Sequence, residues 1–227
     1  MKVEEHFFPS IQIAANELSK MLAGCLNRAI SIRGKALIAV SGGRTPKYVF
    51  PFLRQENVDW NRVTMTLTDE RWVSTDSTES NENLVKSCFL TGPAKATSFV
   101  PLYSGAVSLL EGQKSCEHRL AKLDFPFDAV YLGFGPDGHF ASLFPGDPTL
   151  DVTGTLCASV SSPAVRQQRL TLTVETILNS RKIFILYSGK DKHRVYCRAQ
   201  TKGLRNEIPL RIILQQDRIP ICVIRTP

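Results

Sequence analysis

Apolar segments of two kinds alternate along this chain of 227 residues. From Ile11 to Ala29 the apolar residues recur at helical spacing, and Ser10 before them is a good helix N-cap. Short, mainly apolar runs predict buried strands at residues 36–40, 63–67, 129–134, 182–187 and 221–224. Helical patterns also cover residues 80–89, 107–123 and 190–199, and weaker strand patterns cover 156–160 and 169–173. Strands that alternate with helices predict an α/β fold: a mostly parallel, doubly wound sheet with helices on both faces.

The composition fits one globular domain over residues 1–227, with 43% hydrophobic and 22% charged residues. No apolar run approaches the ~20 residues of a membrane span, and the N-terminus lacks the pattern of a secretion signal. The six cysteines form no Cys-x-x-Cys pair, so we expect reduced thiols. These features predict a cytoplasmic protein.

A glycine-rich segment, SGGRTP at 41–46, follows the first of the apolar runs. Its glycines, Gly42 and Gly43, allow the backbone to approach a ligand closely. Thr45 as N-cap before a proline predicts that a helix begins here, and a helix N-terminus with Arg44 beside it suits a phosphate group. A tight turn into a capped helix explains the segment equally well.

Three charged residues, Asp69, Glu70 and Arg71, follow the second apolar run closely. In a parallel sheet, ligands bind at the carboxyl ends of the strands, where this segment belongs. Charged side chains at that position suit catalysis or sugar binding, and a local ion pair is the alternative explanation.

The third segment, GFGPDGHFASLFPG at 133–146, carries the strongest signal for chemistry. Of the four histidines, only His139 stands among glycines at the predicted ligand-binding edge. Histidine side chains ordinarily have a pKa of about 6.5, which suits proton transfer near neutrality, and Asp137 is close enough to orient this one. We therefore predict a functional role for His139, although a single histidine is more often structural.

Basic residues concentrate near the C-terminus. The segment 181–205 holds eight basic residues and one acidic residue, which equals the net charge of +7 of the whole chain. Arg169 and Lys192 are candidates for binding an anion, whereas Lys190 is more easily explained as a surface residue. The segment therefore predicts a phosphorylated small molecule or a nucleic acid as partner, or simply a solvated helix face. No cluster of histidines and cysteines with metal-ligand spacing occurs.

Together these segments resemble the 6-phosphogluconolactonase family, and the match runs in order from about residue 10 to the end. The motifs that carry it are residues 41–46, 69–71 with 80–81, 133–146, 169–172 and 189–192. The resemblance implies a deaminase/lactonase-like, modified Rossmann fold. It also implies hydrolysis of 6-phospho-D-glucono-1,5-lactone to 6-phospho-D-gluconate, the second step of the oxidative pentose phosphate pathway, without cofactor or metal.

The resemblance also implies roles for single residues. His139 is the expected general base, Asp137 orients it, Arg71 stabilises the oxyanion or holds the ring, and Asp69 binds sugar hydroxyls. The residues expected to bind phosphate are Gly42, Gly43, Arg44, Thr45, Arg169 and Lys192. The expected partner is a small sugar-phosphate lactone, with no nucleic acid or membrane, and the expected state is a monomer or small homo-oligomer.

The chain departs from the family pattern in three places, and three alternative functions stay open. Arg44 stands where the family usually has serine, Phe140 replaces the usual threonine, and Arg166 competes with Arg169 for the phosphate. A glucosamine-6-phosphate deaminase shares the fold but needs a glutamate where this chain has Phe144. A sugar-phosphate sensor of a transcriptional regulator needs a DNA-binding segment, which we do not expect before the first helix, and does not need the histidine. A nucleic-acid-binding protein needs stacking aromatics, which are sparse in the basic segment.

Overall fold

A seven-stranded sheet with all neighbours parallel forms the centre of the computed structural model, which describes residues 3–161 and 167–227. In spatial order its strands are β1 (Glu4–Phe7), β10 (Ile221–Thr226), β9 (Ile183–Ser188), β6 (Ala129–Leu132), β2 (Ala36–Val40), β3 (Val63–Leu67) and β5 (Ser98–Val100). Every residue of β2 and β6 is buried, as expected of continuous apolar runs covered on both faces. The predicted fold class is confirmed, although the sequence did not reveal the short edge strands β1 and β5.

Helices cover both faces of this sheet. They are α1 (Ile11–Arg33), α2 (Pro46–Leu53), α3 (Asn81–Cys88), α4 (Leu109–Leu120), α5 (Val174–Leu178), α6 (Lys190–Gln200) and α7 (Leu210–Leu214). Ser10 caps α1 as predicted, since its hydroxyl accepts a hydrogen bond from the N–H of Ile13. Thr45 occupies the N-cap position of α2 but has helical backbone angles and makes no side-chain cap, so its predicted capping bond is wrong. Within the described parts of the chain, no helix is long and apolar enough to cross a bilayer.

A second, three-stranded antiparallel sheet lies beside the parallel one. It consists of β4 (Asp69–Arg71), β8 (Arg169–Leu172) and β7 (Cys157–Val160), in that order. The two weaker strand patterns are therefore strands, but they pair outside the parallel sheet. Only Thr68 separates β3 from β4, so the chain passes directly from the parallel sheet into the second sheet, and the charged residues form its strand β4.

Candidate active site

A cleft of about 330 Å³ lies at the carboxyl ends of the parallel strands, where residues after β2, β6 and β9 meet. All the predicted site residues except Asp137 line it: Gly42, Gly43, Arg44, Thr45, Asp69, Arg71, His139, Arg169 and Lys192. Asp137 contacts the cleft through His139. The predicted bystander Lys190 is not among the lining residues, and Arg166 lies outside the described residues.

The imidazole of His139 is held by the carboxylate of Asp137. Nδ1 of His139 lies 2.6 Å from Oδ1 of Asp137, and the same oxygen accepts the backbone N–H of His139 at 3.2 Å. A Cβ at Gly135 would stand 2.2 Å from Cε1 of His139, so this position requires glycine. Burial alone would raise the pKa of Asp137, but the hydrogen bond and charge of His139 outweigh it and the net pKa is lowered. With Nδ1 engaged, Nε2 is the ring nitrogen available to a ligand.

The ring of Phe144 packs against two of the predicted site residues. Its centroid lies 4.4 Å from that of His139, and Cζ of Arg169 lies 5.6 Å from it. Phe140, by contrast, is fully buried in the core, and its neighbour Ala141 lines the cleft. The aromatic side chain at 140 therefore leaves the cleft surface unchanged.

Two arginines stand opposite each other on neighbouring strands of the small sheet, Arg71 on β4 and Arg169 on β8. Arg71 donates to the backbone oxygen of Glu79, and Arg169 lies 3.6 Å from Oδ2 of Asp69. The Nε atom of each arginine is buried without a hydrogen-bond partner among the described residues. Burial lowers the pKa of Arg169; Asp69 opposes this shift and Arg71 reinforces it. Like charges placed opposite each other are unfavourable, so this pair is suited to an anion between or above them.

The carboxylate of Asp69 is fixed by residues that sequence reasoning did not assign to the site. Oδ2 accepts the hydroxyl of Ser142 at 2.5 Å, in addition to the ion pair with Arg169. The side-chain amide of Asn81 donates to the backbone oxygen of Asp69 at 2.8 Å and is 3.5 Å from Oδ1. Ser142 and Asn81 both lie in the motif segments, but nothing in their spacing indicates that they meet Asp69.

Glu70 is a structural residue that connects β4 to the start of α3. Its buried carboxylate accepts the backbone N–H groups of Arg71, Asn81 and Glu82 at 2.7–2.8 Å and the hydroxyl of Ser80 at 3.0 Å. Burial raises the pKa of Glu70, and these four donors oppose the rise.

The same anchoring of α3 explains Gly42. A Cβ at this position would stand 1.9 Å from Oδ1 of Asn81, so the 41–46 loop can pass α3 only with glycine there.

A second pair of cations, Arg44 and Lys192, lines another part of the cleft wall. Nζ of Lys192 lies 5.4 Å from the ring centre of Phe134. Burial lowers the pKa of Lys192, and the charge of Arg44 adds to the shift. Among the described lining residues, four cations surround one carboxylate and one imidazole, a set better suited to an anionic ligand than to a metal ion.

The fold and the cleft define a doubly wound α/β protein in which an Asp–His pair lies beside a cleft lined by four cations. The family model of the glucosamine-6-phosphate isomerases/6-phosphogluconolactonase matches residues 9–221. The chain belongs to this family.

Relatives and solved structures within the family are similar to the chain over nearly its full length. A 6-phosphogluconolactonase of Pseudomonas aeruginosa is 37% identical over 206 residues, covering 88% of this chain and 87% of that protein. One from Rhizobium meliloti is 33% identical in an alignment of 232 positions that covers 100% of both chains. The crystal structure of a 6-phosphogluconolactonase from Shewanella baltica superposes with a TM-score of 0.96 at 33% identity, covering 100% of this chain and 98% of that one.

Proposed function

We propose that the chain hydrolyses 6-phospho-D-glucono-1,5-lactone to 6-phospho-D-gluconate, the second step of the oxidative pentose phosphate pathway. The relatives named 6-phosphogluconolactonase support the reaction class. The observation that carries the proposal is the imidazole of His139, which Asp137 holds at 2.6 Å beside a cleft lined by four cations. Cytoplasmic location, the absence of nucleic-acid partners and a monomeric or small oligomeric state stay predictions.

In the proposed reaction, Nε2 of His139 takes a proton from water as the water oxygen bonds to the lactone carbonyl carbon. Arg71 stabilises the oxyanion that forms. The carbonyl is restored when the bond to the ring oxygen breaks, and the imidazolium returns its proton to that oxygen. Asp137 is a positioning residue, because its bond to Nδ1 fixes the tautomer that leaves Nε2 as a base.

The phosphate group of the substrate requires the other cations. We assign it to the Gly42–Thr45 loop, Arg169 and Lys192, which offer backbone N–H groups and positive charge on the cleft wall. Oδ2 of Asp69 is engaged by Ser142 and Arg169, so Oδ1 is the oxygen that accepts a sugar hydroxyl.

Phe144 favours lactone hydrolysis over the deaminase reaction. It stands where the deaminases carry the glutamate of their proton-transfer chemistry, and its ring packs on His139 and Arg169. An aromatic ring cannot transfer a proton, so the position beside His139 lacks the second acid–base group that the deaminase reaction requires.

The test is lactone hydrolysis measured with freshly made substrate and a coupled 6-phosphogluconate dehydrogenase, after subtraction of spontaneous opening. His139→Ala should lose about 10²–10⁴-fold in kcat, the usual contribution of a general base, and should still bind 6-phosphogluconate. His118→Ala is the matched control, because His118 is exposed on α4, away from the cleft. Turnover of His139→Ala close to that of the unmodified chain would refute the assignment.

A further inference from the structure

Residues from the two ends of the chain meet on one face of the parallel sheet. Glu4 and His6 alternate on the edge strand β1, and Cys222 on β10 pairs in register with Glu4. A carboxylate oxygen of Glu4, a ring nitrogen of His6 and Sγ of Cys222 all lie within 4.8 Å of one another. Nε2 of His6 is 2.9 Å from Oε1 of Glu4.

These three side chains present the donor atoms that zinc prefers: a thiolate sulfur, an imidazole nitrogen and a carboxylate oxygen. Tetrahedral bonds of 2.0–2.3 Å place donor atoms roughly 3.3–3.8 Å apart. Donor atoms as much as 4.8 Å apart must therefore move closer together, and Nε2 of His6 and Oε1 of Glu4, now 2.9 Å apart, must separate slightly. We propose that Glu4, His6 and Cys222 form a binding site for Zn²⁺, with water in the fourth position.

The burial of the three groups fits such a site. Cys222 is fully buried and lies at the inner end of the site, where its sulfur is 3.8 Å from Sδ of Met21. The side chain of His6 is 30% exposed and that of Glu4 is 53% exposed, so a cation has a path from solvent. The buried sulfur therefore lies deeper than the imidazole and the carboxylate, which are open to solvent. A surface cluster of carboxylates has no such buried ligand.

The site is remote from the cleft. Glu4 and Cys222 lie at the amino ends of β1 and β10, whereas the cleft lies at the carboxyl ends of the parallel strands. Zinc bound here joins the edge strand to its neighbour and takes no part in the proposed hydrolysis. We therefore expect zinc to raise the thermal midpoint without changing kcat.

Lys182 competes for the site. Its Nζ lies 3.2 Å from Oε2 of Glu4, so the carboxylate already has a cationic partner. Replacing Lys182 by methionine should tighten zinc binding, because it removes this repulsion and frees the carboxylate.

The test is calorimetric titration of the reduced chain with Zn²⁺, together with Co²⁺ as a spectroscopic probe. The expected result is one ion per chain, and a sulfur-to-metal charge-transfer band with Co²⁺. Loss of a ligand should weaken binding by more than the roughly 10–100-fold typical of an outer-shell change, in Cys222→Ser, His6→Gln and Glu4→Gln alike. The last two alter exposed or half-buried side chains, so the test does not depend on the folding of Cys222→Ser.

Two thiols serve as controls. Cys25 lies near Cys222 but outside the donor set, and Cys197 is exposed with its sulfur 3.7 Å from Nε2 of His193. Cys25→Ser and Cys197→Ser should both bind like the unmodified chain. The proposal is overturned if the unmodified chain binds no zinc, if His6→Gln binds it equally well, or if Cys197→Ser abolishes binding.

Discussion

The four cations of the cleft repel one another, and the strength of the repulsion depends on which of them are neighbours. Arg71 faces Arg169 across two strands, and the charge of Arg44 reaches Lys192. Burial lowers the pKa of both Arg169 and Lys192, because the charged form of each is less solvated than in water. A phosphate dianion bound by these cations would offset both their mutual repulsion and their loss of solvation. Because Lys192 can lose its charge, its titration would then change the affinity for phosphate.

Affinity for 6-phosphogluconate should therefore depend on the titration of Lys192. The protonated amine is the form that binds the anion, and its pKa is lowered, so affinity should fall as the pH rises at values where an ordinary lysine is still charged. The dissociation constant measured between about pH 7.5 and 10 should rise for the unmodified chain, since the phosphate stays a dianion throughout.

Two variants of helix α6 separate this effect from general alkaline changes. Lys192→Arg keeps a permanent charge at the position and should flatten the pH dependence. Lys190→Arg, on the same helix but outside the cleft lining, should keep the slope of the unmodified chain. Equal slopes in all three proteins would exclude Lys192 as the titrating phosphate ligand.

The small antiparallel sheet supplies one part of the cleft wall, and Glu70 joins this sheet to α3. One carboxylate accepts four hydrogen bonds from β4, from Ser80 before the helix and from the first turn of α3. This junction fixes the direction of Arg71 toward the cleft on one side and of Asn81 toward Asp69 on the other. Glu70 therefore holds β4 and α3 together mainly by accepting hydrogen bonds from backbone N–H groups.

Replacing Glu70 by glutamine should destabilise the fold by about 1–3 kcal/mol, although the two side chains have the same shape. An amide nitrogen in place of either oxygen faces two donors and leaves them unpaired in a buried place. Urea unfolding at neutral pH measures the loss, and hydrogen exchange should show it in the first turn of α3. Glu79→Gln, at an exposed neighbour, should stay within about 0.5 kcal/mol; a similarly small loss in Glu70→Gln would mean that the junction is not anchored by the carboxylate.

Some elements of the fold can be predicted from the sequence and others cannot. The long helix α1 and the buried strands β2, β3, β6, β9 and β10 follow from periodicity, because their burial is decided by their own residues. Periodicity does not predict the strand β4, because its three consecutive charged residues form a strand only by pairing with β8, about a hundred residues later in the chain. For the same reason Ser142 and Asn81, which fix Asp69, were missed, and the cluster of residues 4, 6 and 222 has no spacing that a motif search detects.

The basic segment 181–205 does not form a single surface of the protein. Strand β9, about 20 Å long, runs through it and separates Arg181 and Lys182 from the basic residues that follow the strand. Arg181 pairs with Asp128 and Lys182 with Glu4 at the amino end of the sheet, whereas Lys192 lines the cleft at the other end. Since the Debye length is about 8 Å at physiological salt, charges at the far end contribute little to the attraction of substrate.

Attraction of a phosphorylated lactone should therefore depend on the cations at the cleft. We expect kcat/KM to fall by about 10-fold between low and physiological ionic strength, the low end of the range for electrostatic steering. Arg44→Ser, which restores the residue usual in the family, should flatten this salt dependence. Arg198→Gln removes an equal charge from an exposed position on α6 outside the cleft lining and should leave the salt dependence unchanged, with the same kcat. If Arg198→Gln flattens the dependence as much as Arg44→Ser does, the field of the whole molecule, rather than the cleft, attracts the substrate.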